Sequence, residues 1–383
     1  MKSLIKTYLS PLHADIVDGV YDLGDGETLL TFDYDREREF CCPLTGLGWK
    51  SVKRFSLGNT DGTFYTHADG RTVYVYTNTG VPFGHAVLGA RLPADDSSVG
   101  EPIYNDTVFY QAYNDPTMSG CMTYLIRMKD GRFVIIDGGF HLDGAGLLRI
   151  MEQLHPHIGE NERFTVAAWL LTHPHDDHIE LLKRLLADDA IMARLDIKNM
   201  YANCPAESAL GGVDEQVIPD NNWMRHVCFE ALRSRGGVIS KPYAGMSFSV
   251  GELCIKVYYT QAEWRYVEMK TVNDASVVME ISRAGGKKVL ILGDIMNRAA
   301  VHIMKMYTPE QLHAEVVQVA HHAHVGPDIN FYRAIDPKVC FWPISINVLS
   351  CTEPPSISIR NDKMRETDVL NLLSCFGPAQ IVI

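Results

Sequence analysis

From about Pro102 onward, short apolar runs alternate with segments whose apolar residues recur at helical spacing. Thr107–Tyr113, Met122–Met128 and Phe133–Ile136 read as strands, the last two joined by a hairpin at Lys129-Asp130-Gly131-Arg132. Leu147, Leu148, Met151 and Leu154 share one helical face, and Val166–Leu171 is an apolar run short enough to be a buried strand. Ile179, Leu182, Leu185 and Leu186 predict a second amphipathic helix, and Met224, Val227, Cys228 and Ala231 a third. The second half repeats the theme. Strands are expected within Phe248–Tyr259, Ser276–Ile281, Lys288–Leu292, Val316–Ala320 and Val339–Ile344, with helices at Asn297–Met306 and Pro327–Ile335. A last helix is expected near Thr367–Ser374, before a terminal strand at Gln380–Ile383. Strands and helices alternating in two halves predict an α+β fold, two sheets sandwiched between helical layers in the order αββα.

The first hundred residues have a different texture. They are rich in Thr, Tyr, Gly and Asp, Arg71–Thr77 alternates polar with β-branched and aromatic residues, and Asp61-Gly62 and Asp69-Gly70 look like hairpin turns. Leu92–Gly100 reads as a polar linker. The expected organisation is a β-rich extension over 1–100 and the sandwich over 101–383.

Composition changes this picture little. Hydrophobic residues at 46% and charged residues at 21% are ordinary for a globular chain. A formal net charge of −12 repels nucleic acid and anionic membrane at long range, which lowers the expectation of a nucleic-acid partner without ruling out a local basic patch. Nine cysteines, none in a CxxC pair, argue against a zinc ribbon and suggest reduced, buried thiols. The N-terminal apolar stretch is broken by Lys6, Ser10 and Pro11, and no apolar run approaches the ~20 residues of a membrane helix. The expectation is a cytoplasmic protein with no membrane partner.

The chemistry is concentrated in Trp169–Leu182, WLLTHPHDDHIELL. A buried strand ends, then His173, His175, Asp177 and His178 follow within six residues before an amphipathic helix begins. His173 and His175, two apart in a loop, can reach one cation, while Asp177 and His178 can project towards a second beside it. Imidazole and carboxylate suit zinc first, with manganese or iron as alternatives. Another strand, Val316–Ala320, runs into His321-His322-Ala323-His324. Three histidines at a strand end suggest a further ligand and a histidine that contacts substrate or transfers a proton.

Thr172–His178 (THPHDDH) resembles the His-x-His-x-Asp-His signature of the metallo-β-lactamase superfamily, and the resemblance covers about Pro102–Ile383. It implies that Asp137, in the Asp137-Gly138-Gly139 turn, steadies the metal loop from behind the ligands. It also implies that Asp294, at the end of KVLILGD, bridges two metals, though a lone Gly-Asp would usually be a helix cap. Among superfamily members the Asn273–Val278 segment (NDASVV), Gly293-Asp294 and the His321-His322 pair are most similar to the hydrolase domain of DNA-uptake competence proteins and to teichoic-acid phosphorylcholine esterases. Ala323-His324 departs from their Gly-Ser. His322 is the expected ligand with His321 as the alternative, and His324 is expected at the surface or lining a pocket. A further histidine common in the superfamily is missing near Met200–Pro205, where Cys204 is a conceivable substitute; His226 lies in a predicted helix. Glu180-Leu181 replaces the usual Gly-Gly.

The function implied is metal-dependent hydrolysis by a metal-activated hydroxide at a site of two divalent ions. Asp177 would orient the hydroxide, and a histidine of the His321–His324 segment, His321 or His324, would protonate the leaving group. The substrate would be a small molecule with a phosphodiester or other ester-like bond, lactone or thioester chemistry being the alternative within the fold. Two rival classes are a non-catalytic metal-binding or regulatory module and a di-iron redox enzyme. The redox class usually carries a flavin-binding domain, for which the chain shows no pattern.

Overall fold

The computed structural model describes residues 2–113, 120–159, 162–263, 269–350 and 369–383. Strands β1 (Val17–Gly24), β2 (Glu27–Asp33), β3 (Trp49–Leu57), β4 (Thr60–His67), β5 (Thr72–Asn78) and β6 (Phe83–Leu88) form an antiparallel sheet in the order β1-β2-β6-β5-β4-β3. One face is covered by the helices Lys2–Tyr8 and Glu37–Gly46, which the sequence pattern did not predict. The other face packs Phe55, Phe64, Tyr74 and Tyr76 against Tyr243, Ala244 and Met246 of the remaining chain. Tyr74 donates to the Ala244 carbonyl at 3.0 Å and Tyr76 to the buried Glu263 at 2.8 Å, so polar tips are satisfied where the rings are buried. The β3–β4 turn falls at Gly58-Asn59, not at Asp61-Gly62 as expected, because Leu57 pairs with Thr60 and Asp61 already pairs with Ser56. Gly62 lies inside β4 because Tyr74 crosses it where a Cβ would overlap the ring. The Asp69-Gly70 turn joins β4 to β5, with Gly70 at φ +89°.

Two further sheets face each other. The first contains β7 (Val108–Gln111), β8 (Tyr124–Arg127), β9 (Phe133–Ile136), β10 (Phe164–Leu170), β11 (Leu195–Ile197), β12 (Asn199–Tyr201), β13 (Val238–Ser240) and, at its edge, β21 (Ala379–Val382). The second runs in the order β14 (Ser247–Val250), β15 (Leu253–Tyr259), β16 (Val278–Ser282), β17 (Val289–Ile291), β18 (Val316–Gln318), β19 (Val339–Trp342) and β20 (Leu370–Leu373). Side chains such as Ile126, Val134, Ile255 and Ile281 fill the space between them. The outer face of the first sheet buries Trp169 and Ile135 against the helices Gly144–Leu154 and Asp176–Leu186. The second sheet buries Leu290 and Trp342 against Asn297–Met306 and Ile329–Ile335. The layers are therefore αββα.

One expected helix is a strand. Leu370–Leu373 is β20, parallel to β19 with Val339 opposite Leu370, and a short 3-10 turn follows at Ser374–Phe376. The sheet edge offered by β19 outweighs the weak helical spacing of these few apolar residues. The beginning of that expected helix, Thr367 and Asp368, lies outside the described residues.

Strand direction sets the site. β9 and β10 are parallel neighbours, as are β17 and β18, and these four strands end on one side of the sandwich. Their carboxyl ends run into Asp137, Thr172–His178, Gly293-Asp294 and His321-His322 respectively. Loops placed on such rigid strand ends hold side chains with little freedom to drift.

Candidate metal centre

Six of the side chains singled out from the sequence converge. Asp177, His178, Asp294 and His322 each bring a donor atom within 4.8 Å of the others, and His173, His175 and Asp294 do the same beside them. Asp294 belongs to both groups and is 1% exposed. Its Oδ2 lies 3.2 Å from His178 Nε2, 3.3 Å from His322 Nε2 and 3.9 Å from His173 Nε2. Asp177 Oδ2 approaches His322 Nε2 at 3.0 Å.

The hydrogen bonds behind these atoms fix the tautomers. His178 Nδ1 donates to Asp137 Oδ2 at 2.7 Å, His322 Nδ1 donates to the Pro343 carbonyl at 2.8 Å, and His173 Nδ1 donates to Thr172 Oγ1 at 3.1 Å. Each leaves Nε2 as the nitrogen turned towards Asp294. His175 is the exception. Its Nδ1 faces His173 Nε2 at 2.9 Å, and its Nε2 faces outward to Asp214 at 3.7 Å.

Several atoms have chemistry that protein neighbours leave incomplete. His178 Nε2, His322 Nε2 and Asp294 Oδ1 are buried without a hydrogen bond, although carboxylates lie close to both nitrogens. The facing ring nitrogens of His173 and His175 would both present lone pairs, an arrangement that is favourable only with a proton or cation between them. The donor set, imidazole nitrogen and carboxylate oxygen in two groups sharing one carboxylate, fits a divalent cation in each group.

The electrostatics agree. Burial opposes ionisation of Asp294, yet His322 and His178 hold its carboxyl well below the usual range; Asp177 is lowered by the same two rings. Burial would lower the imidazole of His178, but Asp294, Asp177 and Asp137 raise it well above its ordinary value. Likewise Asp294 and Asp177 outweigh burial at His322 and raise it to about 10. This half of the site traps positive charge. His173 behaves oppositely, lowered well below its ordinary value by burial and by its neighbour His178.

Local backbone explains why these loops hold. Asp137, at φ +54° and fully buried, accepts from the Thr172 N–H and the Thr172 hydroxyl, both at 2.7 Å, as well as from His178. Gly138 N–H donates to the His178 carbonyl at 2.6 Å, and a Cβ on Gly139 would overlap the Asp177 carbonyl oxygen. The Asp-Gly-Gly turn is thus packed directly under the metal loop. Gly293 takes φ +57°, and a Cβ there would sit 2.8 Å from Thr172 Cβ and 2.9 Å from Ser276 Cβ. His321, His322 and Ala323 are consecutive left-handed residues at φ +52°, +51° and +58°. A run of non-glycine residues in that region stores strain of the kind found where a loop must aim side chains.

The remaining expectations fall elsewhere. His321 joins neither group; its Nδ1 donates to the Val325 carbonyl, and its Nε2 faces the Asn273 amide nitrogen at 3.4 Å. His324 is exposed, its ring 5.9 Å from that of His321. Cys204 is buried in the core beneath the first sheet and His226 is exposed, so neither stands in for the missing histidine. Asp214 was not foreseen: it sits alone in a glycine-containing loop, Gly211–Asp214, with no motif around it.

Residues 116–190 match the family model described as Metallo-beta-lactamase superfamily. No curated protein matches the chain. Among solved structures, the metallo-beta-lactamase fold protein YhfI from Bacillus subtilis is 11% identical, covering 72% of this chain and 100% of its own, with a TM-score of 0.43. Igni18, a metallo hydrolase from Ignicoccus hospitalis, is 13% identical over 72% of this chain and 99% of its own, with a TM-score of 0.37. CmlA, a diiron beta-hydroxylase from Streptomyces venezuelae, is 13% identical over 74% of this chain, with a TM-score of 0.38, and the match spans only 55% of CmlA. At such values the assignment of fold rests on the sheet order and layers described above.

Proposed function

We propose that this chain is a hydrolase of the metallo-β-lactamase superfamily that works with two divalent cations sharing Asp294. The observation that carries the reading is the pair of donor groups meeting at one buried carboxylate, with His178 Nε2 and His322 Nε2 left without hydrogen bonds. His173 through Nε2 and His175 through Nδ1 would hold one cation; Asp177, His178 and His322 would hold the other. Zinc is the first choice, with manganese or iron as alternatives. Bound there, such cations supply Lewis acidity and bring the pKa of water from 15.7 to ~7.

The protein's own groups divide the remaining work. Asp137 and the Pro343 carbonyl fix the His178 and His322 rings, which keeps their donor atoms in place through a turnover. His321 is assigned the proton transfer. Because its Nδ1 proton is committed to the Val325 carbonyl, Nε2 is the atom that takes a proton and returns it to the leaving group. His324, exposed beside it, is assigned to the rim, in contact with substrate. A phosphodiester is the preferred substrate, on the Asn273–Val278, Gly293-Asp294 and His321-His322 pattern, with lactones and thioesters next. No helix among the described residues is long and apolar enough to cross a membrane, and no disulfide joins the described cysteines. The cytoplasmic assignment rests on the sequence, whose nine scattered cysteines without a CxxC pair suit reduced, buried thiols.

The test is to strip the protein with a chelator, reconstitute it separately with zinc, manganese and iron, and assay phosphodiester, lactone, thioester and β-lactam substrates. Turnover that vanishes on stripping and returns with metal supports the reading. A metal-free preparation with full activity contradicts it. Full metal occupancy with no turnover would favour a regulatory module, and iron-dependent oxygen consumption would favour redox chemistry.

A further inference from the structure

We infer that Asp214 is a positioning residue for His175, fixing that ring so that Nδ1 is its metal-binding nitrogen. The inference rests on the metal-centre reading above and extends it to a residue with no motif around it. Asp214 lies in the loop after the helix Glu207–Leu210, far from the histidine motif in sequence. Its Oδ2 accepts from the Thr271 hydroxyl and from the Val272 N–H, both at 3.0 Å, and faces His175 Nε2 at 3.7 Å. The side chains of His175 and Asp214 are 23% and 17% exposed, so the pair is only partly screened by water.

The chemistry follows from the four rings. A neutral imidazole carries one N–H and one lone pair. His173, His178 and His322 each spend the Nδ1 proton on an oxygen behind the site and turn Nε2 inward. His175 is turned the other way, with Nδ1 inward and Nε2 outward, so it needs an acceptor on its Nε2 side. Asp214 is the carboxylate in that place, and it is anchored by two donors from Thr271 and Val272. This matters most in the half of the site built from His173, His175 and Asp294. That group has three protein donors, whereas the other has four. With fewer donors, affinity depends more on the orientation and basicity of each, which an outer carboxylate raises.

The experiment compares wild type with Asp214→Ala, Asp214→Asn and Thr271→Val. Zinc and cobalt are titrated into stripped protein against a competing chelator, and His175 nitrogen shifts are read in the metal-free state. The expected result is a loss of 10- to 100-fold in the weaker binding step for Asp214→Ala. Asp214→Asn should lose less, since its amide oxygen can keep the Thr271 and Val272 bonds, and the tighter step should be unchanged in both. Thr271→Val, which frees the carboxylate without touching the ring, should give a smaller loss in the same step. In metal-free wild type His175 should carry a proton on Nε2, facing Asp214, besides the one shared with His173 Nε2, and in Asp214→Ala the Nε2 proton should be lost. Unchanged weaker-step affinity in Asp214→Ala, or an equal fall in both steps, would overturn the inference. The tautomer reading needs no metal. A wild type that binds no cation yet shows the Asp214-dependent tautomer would therefore sink the metal-centre reading while leaving the positioning role standing, and an unchanged tautomer would sink the positioning role.

Discussion

Asp137→Asn is the most informative single substitution, because it leaves size and shape intact and inverts one proton. The wild-type carboxylate accepts from the Thr172 N–H on Oδ1 and from the Thr172 hydroxyl and His178 Nδ1–H on Oδ2. The backbone N–H cannot reverse its role, so the asparagine must put its oxygen there and its NH2 towards the Thr172 hydroxyl and His178. The hydroxyl can turn to accept, and His178 can give up its Nδ1 proton while keeping the one on Nε2 that faces Asp294. The metal-free network is then satisfied, and asparagine tolerates the positive φ of this position. The cost appears on metal binding, because His178 must restore Nδ1–H against a second donor. Two buried donors left facing each other cost about 1–3 kcal/mol each. A central total near ~4 kcal/mol is about a thousandfold in affinity. The assay is cobalt or zinc competition for the step involving His178, with the ring tautomer read by nitrogen shifts and folding by thermal melting. Wild-type affinity in Asp137→Asn would refute the tautomer argument, and so would an unfolded metal-free protein.

Three further outcomes are expected. Metal uptake at pH 7 should release about two protons, because His178 and His322 are raised in the metal-free state and must each lose one proton to become ligands. Affinity should therefore rise with pH until pH passes the His322 value of about 10, and calorimetry in buffers of different ionisation heat should show the release. Gly139→Ala should lower stability by about 1–3 kcal/mol by overpacking and should weaken metal binding together with it, since the added Cβ meets the Asp177 carbonyl and Cys121; thermal melting and metal titration check both. Ala323→Gly should raise the denaturation midpoint. Relief of a left-handed residue is worth about 1–2 kcal/mol, and the entropy of glycine takes back about 0.5–1.

The legible parts of this chain were those where chemistry and local pattern coincide. His173, His175, Asp177 and His178 stand between a buried strand and an amphipathic helix, so sequence alone indicated both the residue types and their rigid support. The assembly of Asp294 and His322 with them depends on two parallel strand pairs ending together, which only resemblance to a family suggested. His321 and His322 could not be told apart by spacing. The difference comes from three left-handed residues that aim His322 at Asp294 and turn His321 to the Val325 carbonyl. Asp214 was invisible because its partners, His175 and Thr271, are distant in sequence and nothing local marks the loop. Leu370–Leu373 misled because four apolar residues fit a helix or a strand, and the open edge of β19 decides. The helices Lys2–Tyr8 and Glu37–Gly46 were missed because they are short and weakly patterned among strand signals.

The central claim is tested most directly by anomalous diffraction from crystals grown with zinc or manganese, with data on both sides of the metal's absorption edge. Two peaks are expected, one beside His173 and His175 and one beside Asp177, His178 and His322, with the Asp294 carboxylate between them. No peak at full metal load, or peaks bound only by other side chains, would contradict the account.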